Sequence, residues 1–308
     1  MILLSRCHET APEAGKGLRL AVYQGPTEVG SADAIEANLE QLESVVKMAK
    51  ARDVHVISFA ELYVTGYALN PELVAQFAQP IDGPAMRRVA KIASANGIAV
   101  ICPYPEKATD TGNVKFYDSI ALFGPGGEIL QNYRKTHLFG QAERDNFSAG
   151  DGPYEVCSIN GVKLGILNCY EAEFPELSRI LAIEGAKVIV IPTAADYYYT
   201  LTTGERTRVP YPDISRNLIP AHAFENHCFI AYSNRCGYEH VGAQNWHYRG
   251  NSMIASPHGE LLLQARAEET LLIGDCLPGE FGPTHPEGDY LQDRRTDLYH
   301  HLVRPNVS

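Results

Sequence analysis

The sequence predicts a single α/β layered domain, on three observations. Short β-branched runs recur along the chain, segments of helical periodicity separate most of them, and no linker, repeat or low-complexity stretch divides the 308 residues. LRLAVY (18–23) reads as the first strand. Over 33–52, Ile35, Leu39, Leu42, Val45, Val46 and Ala49 fall at helical spacing with Glu36, Glu40, Glu43, Lys47 and Lys50 on the other side. VHVISFA (54–60) is mostly apolar, as suits a strand in a sheet covered on both faces. A helix over 84–96 and the strands IAVICP (98–103) and YDSIALFG (117–124) follow, the last ending at Pro125-Gly126-Gly127.

Strands are expected near 154–159 and 163–168, then a helix over 175–184, strand KVIVIPT (187–193), a helix over 215–226 and strand CFIAYSN (228–234). NSMIASP (251–257) and TLLIGDC (270–276) complete the set around a turn at 257–260. Residues 1–17 read as a flexible extension ahead of a domain running from 18 to 308. The segment 197–213 is tyrosine-rich and punctuated by Gly204, Pro210 and Pro212, so it reads as a long surface loop of a kind that often carries function.

Composition narrows the function classes. The chain is 45% hydrophobic and carries 26 Lys and Arg against 37 Asp and Glu, a formal charge of −11. An acidic chain without a basic run has no electrostatic footprint for nucleic acid or anionic lipid. No stretch reaches the roughly 18 consecutive apolar residues of a membrane-spanning helix, and the start does not read as a secretory leader. Seven scattered cysteines without a C-x-x-C pair argue against a disulfide framework and a structural zinc site, and point to the cytoplasm. The histidines show no ligand spacing, so no metal is expected. His300-His301, in the C-terminal segment, is expected to help pack against a partner subunit.

The chemistry-bearing residues fall at strand ends, where α/β sheets place their sites. Glu61 follows strand 54–60 among apolar and aromatic neighbours that would raise its pKa toward a general-base value; alone it also reads as a capping residue. Lys135, in NYRKTHLFG, follows a strand turn and could donate to a developing oxyanion or hold a thiolate and a carboxylate together; alone it also reads as a solvated cation. Cys169 follows VKLGILN and precedes YEAEFPE. A strand–Cys–helix turn exposes the sulfur, and a helix N-terminus lowers a thiol's pKa, whereas Cys102 and Cys228 lie inside apolar runs as core residues.

Taken in order, FAELYVTGY, NYRKTHLFG and NCYEAEFPE resemble the nitrilase or carbon–nitrogen hydrolase superfamily. The likeness runs from AVYQG (21–25) through AFEN (223–226) and SNRCG (233–237) to GNSMIASP (250–257). It implies a four-layer α-β-β-α sandwich, commonly assembled as homodimers or higher oligomers across the helix after the nucleophile, with no cofactor. It implies a Glu–Lys–Cys triad on Glu61, Lys135 and Cys169, with the family's second glutamate on Glu143. Glu61 would take the thiol proton and later activate water; Lys135 and the Tyr170 backbone N–H would hold the oxyanion; Glu143 would orient Lys135 or substrate.

Two departures stand out: Glu171 replaces the usual Asp, and 197–209 looks inserted beside the Thr193-Ala194-Ala195 loop that borders the pocket in this family. The look is nearest to aliphatic amidases of the 5-aminopentanamidase and stereoselective amino-acid amidase type. The implied substrate is a small primary amide, with or without an amine. Glu173 is a candidate amine partner, and Tyr67 with Tyr197–Tyr199 candidate pocket walls. An N-carbamoyl amine amidohydrolase is the alternative; a nitrilase or a silent scaffold ranks below it.

Overall fold

A computed structural model of the chain describes residues 1–110, 112–200, 205–241 and 244–304. Its first half runs β1 (Ile2–Arg6), β2 (Leu18–Gln24), α1 (Ala32–Lys50), β3 (Val56–Ser58), α2 (Pro71–Phe77), α3 (Pro84–Asn96), β4 (Ala99–Asp110), β5 (Asn113–Phe123), β6 (Ile129–Arg134) and α4 (Gly140–Asn146). Then come β7 (Val156–Ile159), β8 (Val162–Ile166), α5 (Pro175–Ile183), β9 (Val188–Pro192), β10 (Tyr198–Thr200), β11 (Arg206–Pro210), α6 (Ile214–Asn226) and β12 (Phe229–Ser233). The chain closes with β13 (Cys236–Val241), β14 (Gln244–Arg249), β15 (Met253–Ala255), β16 (Leu261–Gln264) and β17 (Thr270–Cys276).

Two mixed sheets result, ordered β1-β17-β2-β3-β4-β5-β6 and β16-β15-β12-β9-β8-β7. Alternation along single strands shows why they stack. In β2, Leu18, Leu20 and Val22 pack toward the second sheet, while Ala21 and Tyr23 pack with α1 and α3 residues such as Leu42, Val46 and Val89. In β9, Val188 and Val190 join the same inter-sheet layer, whereas Ile189 and Ile191 meet Leu181 of α5 and Ile219 of α6. Each strand therefore feeds two apolar layers, and burying each such side chain contributes about 1.5–3 kcal/mol. The order of layers is helix, sheet, sheet, helix: the expected four-layer sandwich.

Local signals set the helix ends. The Ser31 hydroxyl accepts the Ala34 N–H at 3.0 Å at the head of α1, and α3 starts on Pro84 and stops at Gly97 in the left-handed region (φ +62°).

Two expectations are corrected. Ile2–Arg6, assigned from sequence to a flexible extension, pairs in parallel with β17 from Ile2–Thr270 to Arg6–Gly274. The segment 197–213 is not simply a loop: β10 and β11 pair antiparallel within it, while residues 201–204, Gly204 among them, lie outside the described residues. No described helix is long and apolar enough to cross a membrane.

Candidate active site

The site forms where both sheets end on the same side. The two sets of parallel neighbours, β2-β3-β4 and β8-β9-β12, point their C-terminal ends at it. Glu61 lies three residues past β3, and its backbone N–H donates to the Thr193 carbonyl, just past β9, at 3.3 Å. This bond ties the exits of the two sheets together.

Lys135 follows β6 directly. Its N–H donates to the Asp118 carbonyl at 2.9 Å and its own carbonyl accepts from Gly150 at 2.8 Å, so its backbone is pinned on both sides. Its side chain is fully buried. The ammonium lies 2.6 Å from Glu61 Oε1 and 2.8 Å from Glu143 Oε2, with Asp118 Oδ2 at 3.6 Å. Glu143, the one buried residue of α4, is fixed at both oxygens. The Tyr67 hydroxyl donates to Oε1 at 2.7 Å and the Phe139 N–H to Oε2 at 2.7 Å.

Cys169 is half-buried and opens a 3₁₀ turn (Cys169–Glu173) with φ +50°. A non-glycine residue in the left-handed region is costly, and such strain gathers at functional turns. What holds this turn is Glu171. Its carboxylate accepts from the Asn168 N–H at 2.8 Å, the Thr136 N–H at 2.7 Å and the Tyr133 hydroxyl at 2.7 Å. Glu171 thus lashes the cysteine turn to the lysine segment.

Electrostatics separate these groups. Burial pulls the Lys135 ammonium down, but Glu143, Glu61, Cys169 and Asp118 outweigh it and hold its pKa well above the ordinary lysine value. Burial pushes Glu143 up, opposed by Lys135. The Cys169 thiol is also pushed well above its ordinary value, first by burial and then by the Glu61 charge, against the lowering effects of Lys135 and of a hydrogen bond from the Ala194 N–H. This corrects the expectation of a thiol acidified by a helix N-terminus. The turn is only five residues of 3₁₀ helix, and desolvation with two neighbouring carboxylates, Glu61 and Glu143, acts against the thiolate there.

Glu61, Lys135, Glu143 and Cys169 come together, and Tyr67, Tyr170, Glu173, Thr193 and Ala194 all line the cavity beside the sulfur, which measures about 220 Å³. Tyr170 packs edge-on against Phe139 and Phe174, and its N–H belongs to the first turn, where helical geometry leaves donors free. Glu173 is half-buried and receives the Tyr211 hydroxyl at 3.4 Å. Of the three tyrosines 197–199, Tyr199 alone lines the cavity, joined by Tyr211 and Trp246; Tyr197 instead stacks on His247.

Sequence reading missed two groups. Asp118, fully buried on β5, faces the lysine; a charge at the head of the apolar run SIALF was its only signal. Arg235, also fully buried, pairs with Glu239 and donates to the Glu61 carbonyl. Glu239 in turn accepts the Tyr67 and Ala68 N–H groups at 3.1 and 2.8 Å. This pair fastens the segment that carries Glu61 and Tyr67.

Glu61, Asp118 and Glu143 have oxygens within 4.8 Å of one another, a spacing that suits a cation, and the Lys135 ammonium is the cation they surround. Chemically, the arrangement offers a thiol, a carboxylate able to take its proton, and an ammonium beside both.

Comparison with known proteins gives a consistent picture. The carbon–nitrogen hydrolase family profile matches residues 19–285. A hydrolase in the pqqF 5′ region of Pseudomonas protegens is 37% identical over 94% of this chain and 93% of its own length. An (R)-stereoselective amidase of Pseudomonas sp. is 33% identical, covering 80% of this chain and 82% of itself. An N-carbamoylputrescine amidase of Arabidopsis thaliana is 27% identical over 94% and 97%. Among solved structures, an amidase of Nesterenkonia sp. AN1 superposes with a TM-score of 0.73 at 26% identity, covering 96% of this chain and 100% of that one. That structure is of a Glu-to-Gln mutant of the amidase, with the acetamide moiety of fluoroacetamide covalently added at the active-site cysteine.

Proposed function

Since this chain belongs to the carbon–nitrogen hydrolase family, we propose that it is a cysteine-dependent amidohydrolase that converts a small primary amide to a carboxylic acid and ammonia through a thioester. The observation that carries the residue assignment is the Lys135 ammonium held 2.6 Å from Glu61 and 2.8 Å from Glu143 beside the Cys169 sulfur.

Glu61 takes the thiol proton as Cys169 Sγ attacks the carbonyl carbon. Negative charge collects on the carbonyl oxygen, where Lys135 Nζ and the Tyr170 N–H meet it. Such donors are worth about 100- to 1000-fold in turnover in other hydrolases. Collapse breaks the C–N bond, and the Glu61 proton leaves with ammonia. Glu61 then takes a proton from water, hydroxide attacks the thioester, and the acid departs as the thiol is restored. Glu143, bound by Tyr67 and the Phe139 N–H, keeps the lysine in place throughout.

Aromatic walls and a cavity of about 220 Å³ support a small organic group on the amide, and Glu173 at the cavity wall suits an amine on it. The Arabidopsis relative supports one alternative, a carbamoyl amine cleaved by the same apparatus. Seven unpaired cysteines support a cytoplasmic setting, and exposed apolar residues on α5 and the C-terminal segment support a homodimer or higher assembly.

The decisive experiment is ammonia release from primary amides, ω-amino amides, amino-acid amides and carbamoyl amines, with Cys169→Ala as control. Release that vanishes in the variant is expected. Carbon dioxide appearing with the ammonia selects the carbamoyl reading, and substantial turnover by Cys169→Ala refutes the mechanism.

A further inference from the structure

The family's reading uses two glutamates around Lys135, yet the site holds a third carboxyl. Asp118 is fully buried. Its Oδ1 accepts the Asn168 side-chain N–H at 3.0 Å, linking it to the residue before the nucleophile. Its Oδ2 lies 3.6 Å from Lys135 Nζ, too far for a hydrogen bond, and has no hydrogen-bond partner. Glu61 Oε2 is a second buried oxygen without one. Two orphan acceptors belonging to neighbouring carboxyls, in a cluster whose oxygens lie within 4.8 Å, cannot both be left bare cheaply.

Charge counting leads to the same place. Three ionised carboxylates around one ammonium would leave a net charge of −2 in a cluster whose four members are all buried, and carboxylates this close share protons. Glu143 accepts three donors, from Lys135, Tyr67 and Phe139, which favour its ionised form. Glu61 Oε1 accepts the Lys135 ammonium at 2.6 Å. Asp118 has the weakest claim on the cation.

We propose that Asp118 is a positioning residue that stays protonated at neutral pH and donates its carboxyl hydrogen to Glu61, giving both orphan oxygens a partner and holding Glu61 ionised and aimed as the base. Burial, then the Glu61 charge, pushes Asp118 well above the ordinary carboxyl range, with Lys135 opposing and Glu143 adding to the rise. The groups facing it are Glu61 past β3, Lys135 past β6, Glu143 on α4 and the neutral Asn168 past β8. No proton is consumed over the cycle: Asp118 keeps its own while Glu61 carries the one that shuttles.

The inference rests on Glu61 being the base, so its test must separate the two. Asp118→Asn is nearly isosteric, can accept from Asn168 and donate to Glu61, and cannot ionise. It should keep kcat/KM at neutral pH within about threefold, as expected when a neutral donor replaces a neutral donor. Its pH–rate profile should lose any alkaline step that comes from Asp118 ionisation. Asp118→Leu removes the donor and should cost about 100-fold in kcat with little change in KM.

A readout independent of turnover uses Cys169→Ala protein. Its infrared spectrum at neutral pH should show a protonated-carboxyl C=O band that disappears when Asp118→Asn is added. Asp118→Asn falling as far as Asp118→Leu would mean the negative charge is what matters. That result, an Asp118→Leu enzyme of wild-type activity, or a missing infrared band would each overturn the proposal. Activity in Cys169→Ala would instead sink the underlying mechanism.

Discussion

Lys135 is the residue on which the site turns, because its ammonium is enclosed by Glu61, Glu143 and Asp118. Replacing it with Met leaves three buried carboxyls without their counter-ion, a change that costs about 3–5 kcal/mol where buried pairs have been broken. The pH dependence has a definite sign. Burial already raises Asp118 and Glu143 above the ordinary value, and losing the cation raises them further. The folded variant then keeps protons that the unfolded chain has released above about pH 4. Its stability is therefore whole below that pH and falls as pH rises through the folded values. Thermal unfolding of Lys135→Met should show a larger deficit against wild type at pH 8 than at pH 5; equal deficits would mean that the lysine is not their counter-ion. The raised Cys169 thiol gives a second expectation. Thiolate absorbance in the wild-type minus Cys169→Ala difference spectrum should be absent at neutral pH and appear above the ordinary thiol range. Thiolate at pH 7 would mean a pre-formed ion pair with Lys135, with no need for Glu61 as base in the first step.

At the level of elements, the segment from Glu61 to Ala68 has no regular structure to hold it, and the Arg235–Glu239 pair does so instead, through the Glu61 carbonyl and the Tyr67 and Ala68 N–H groups. Arg235→Met would strand the Glu239 charge in the interior. The expected result is a loss of about 3–5 kcal/mol together with a fall in kcat, read by thermal unfolding and by kinetics below the melting point. Normal kcat in the folded variant would mean the pair only stabilises. This network also marks where sequence reading stopped. Long periodic elements were legible: α1 and α3 set one apolar face against a polar one, and β17 alternates between two apolar layers. The helices α2 and α4 are seven residues each, too short to show a period, and α4 buries a carboxylate rather than an apolar stripe. β1 is an edge strand, exposed along most of its length, whose partner β17 lies at the other end of the chain. Glu61, Lys135 and Cys169 were legible through their ordered motifs; Asp118 meets Asn168 50 residues on, and Arg235, although paired with Glu239 four residues later, meets Glu61 174 residues back, so a window along the sequence shows the site contacts of neither.

Across the whole molecule, the site is a product of the sandwich rather than of either sheet. Glu61, Asp118 and Lys135 come from the first sheet, and Cys169, Thr193 and Ala194 from the second, so packing of the inter-sheet layer around Leu20, Val22, Val188 and Val190 is what brings carboxylates, ammonium and thiol together. One part of the chain stands outside this economy of burial. The 3₁₀ segment Thr296–Val303 buries none of its residues, leaving Leu298, Tyr299, Leu302 and Val303 between 41% and 83% exposed. On α5, just past the Cys169 turn, Ile180 and Ile183 are also exposed. Ordering an apolar segment against nothing loses entropy without compensation, and a second copy of the chain is the occupant that would cover it. Light scattering on the full chain should give a dimer or larger species, and a chain ending at Arg295 should give a smaller one. Because none of the described residues from 296 to 304 lines the cavity, Cys169-dependent turnover per chain should survive the cut if assembly serves stability alone, and fall with it if assembly also braces α5 and the Cys169 turn. A full-length chain that scatters as a monomer at micromolar concentration would leave the segment without this role.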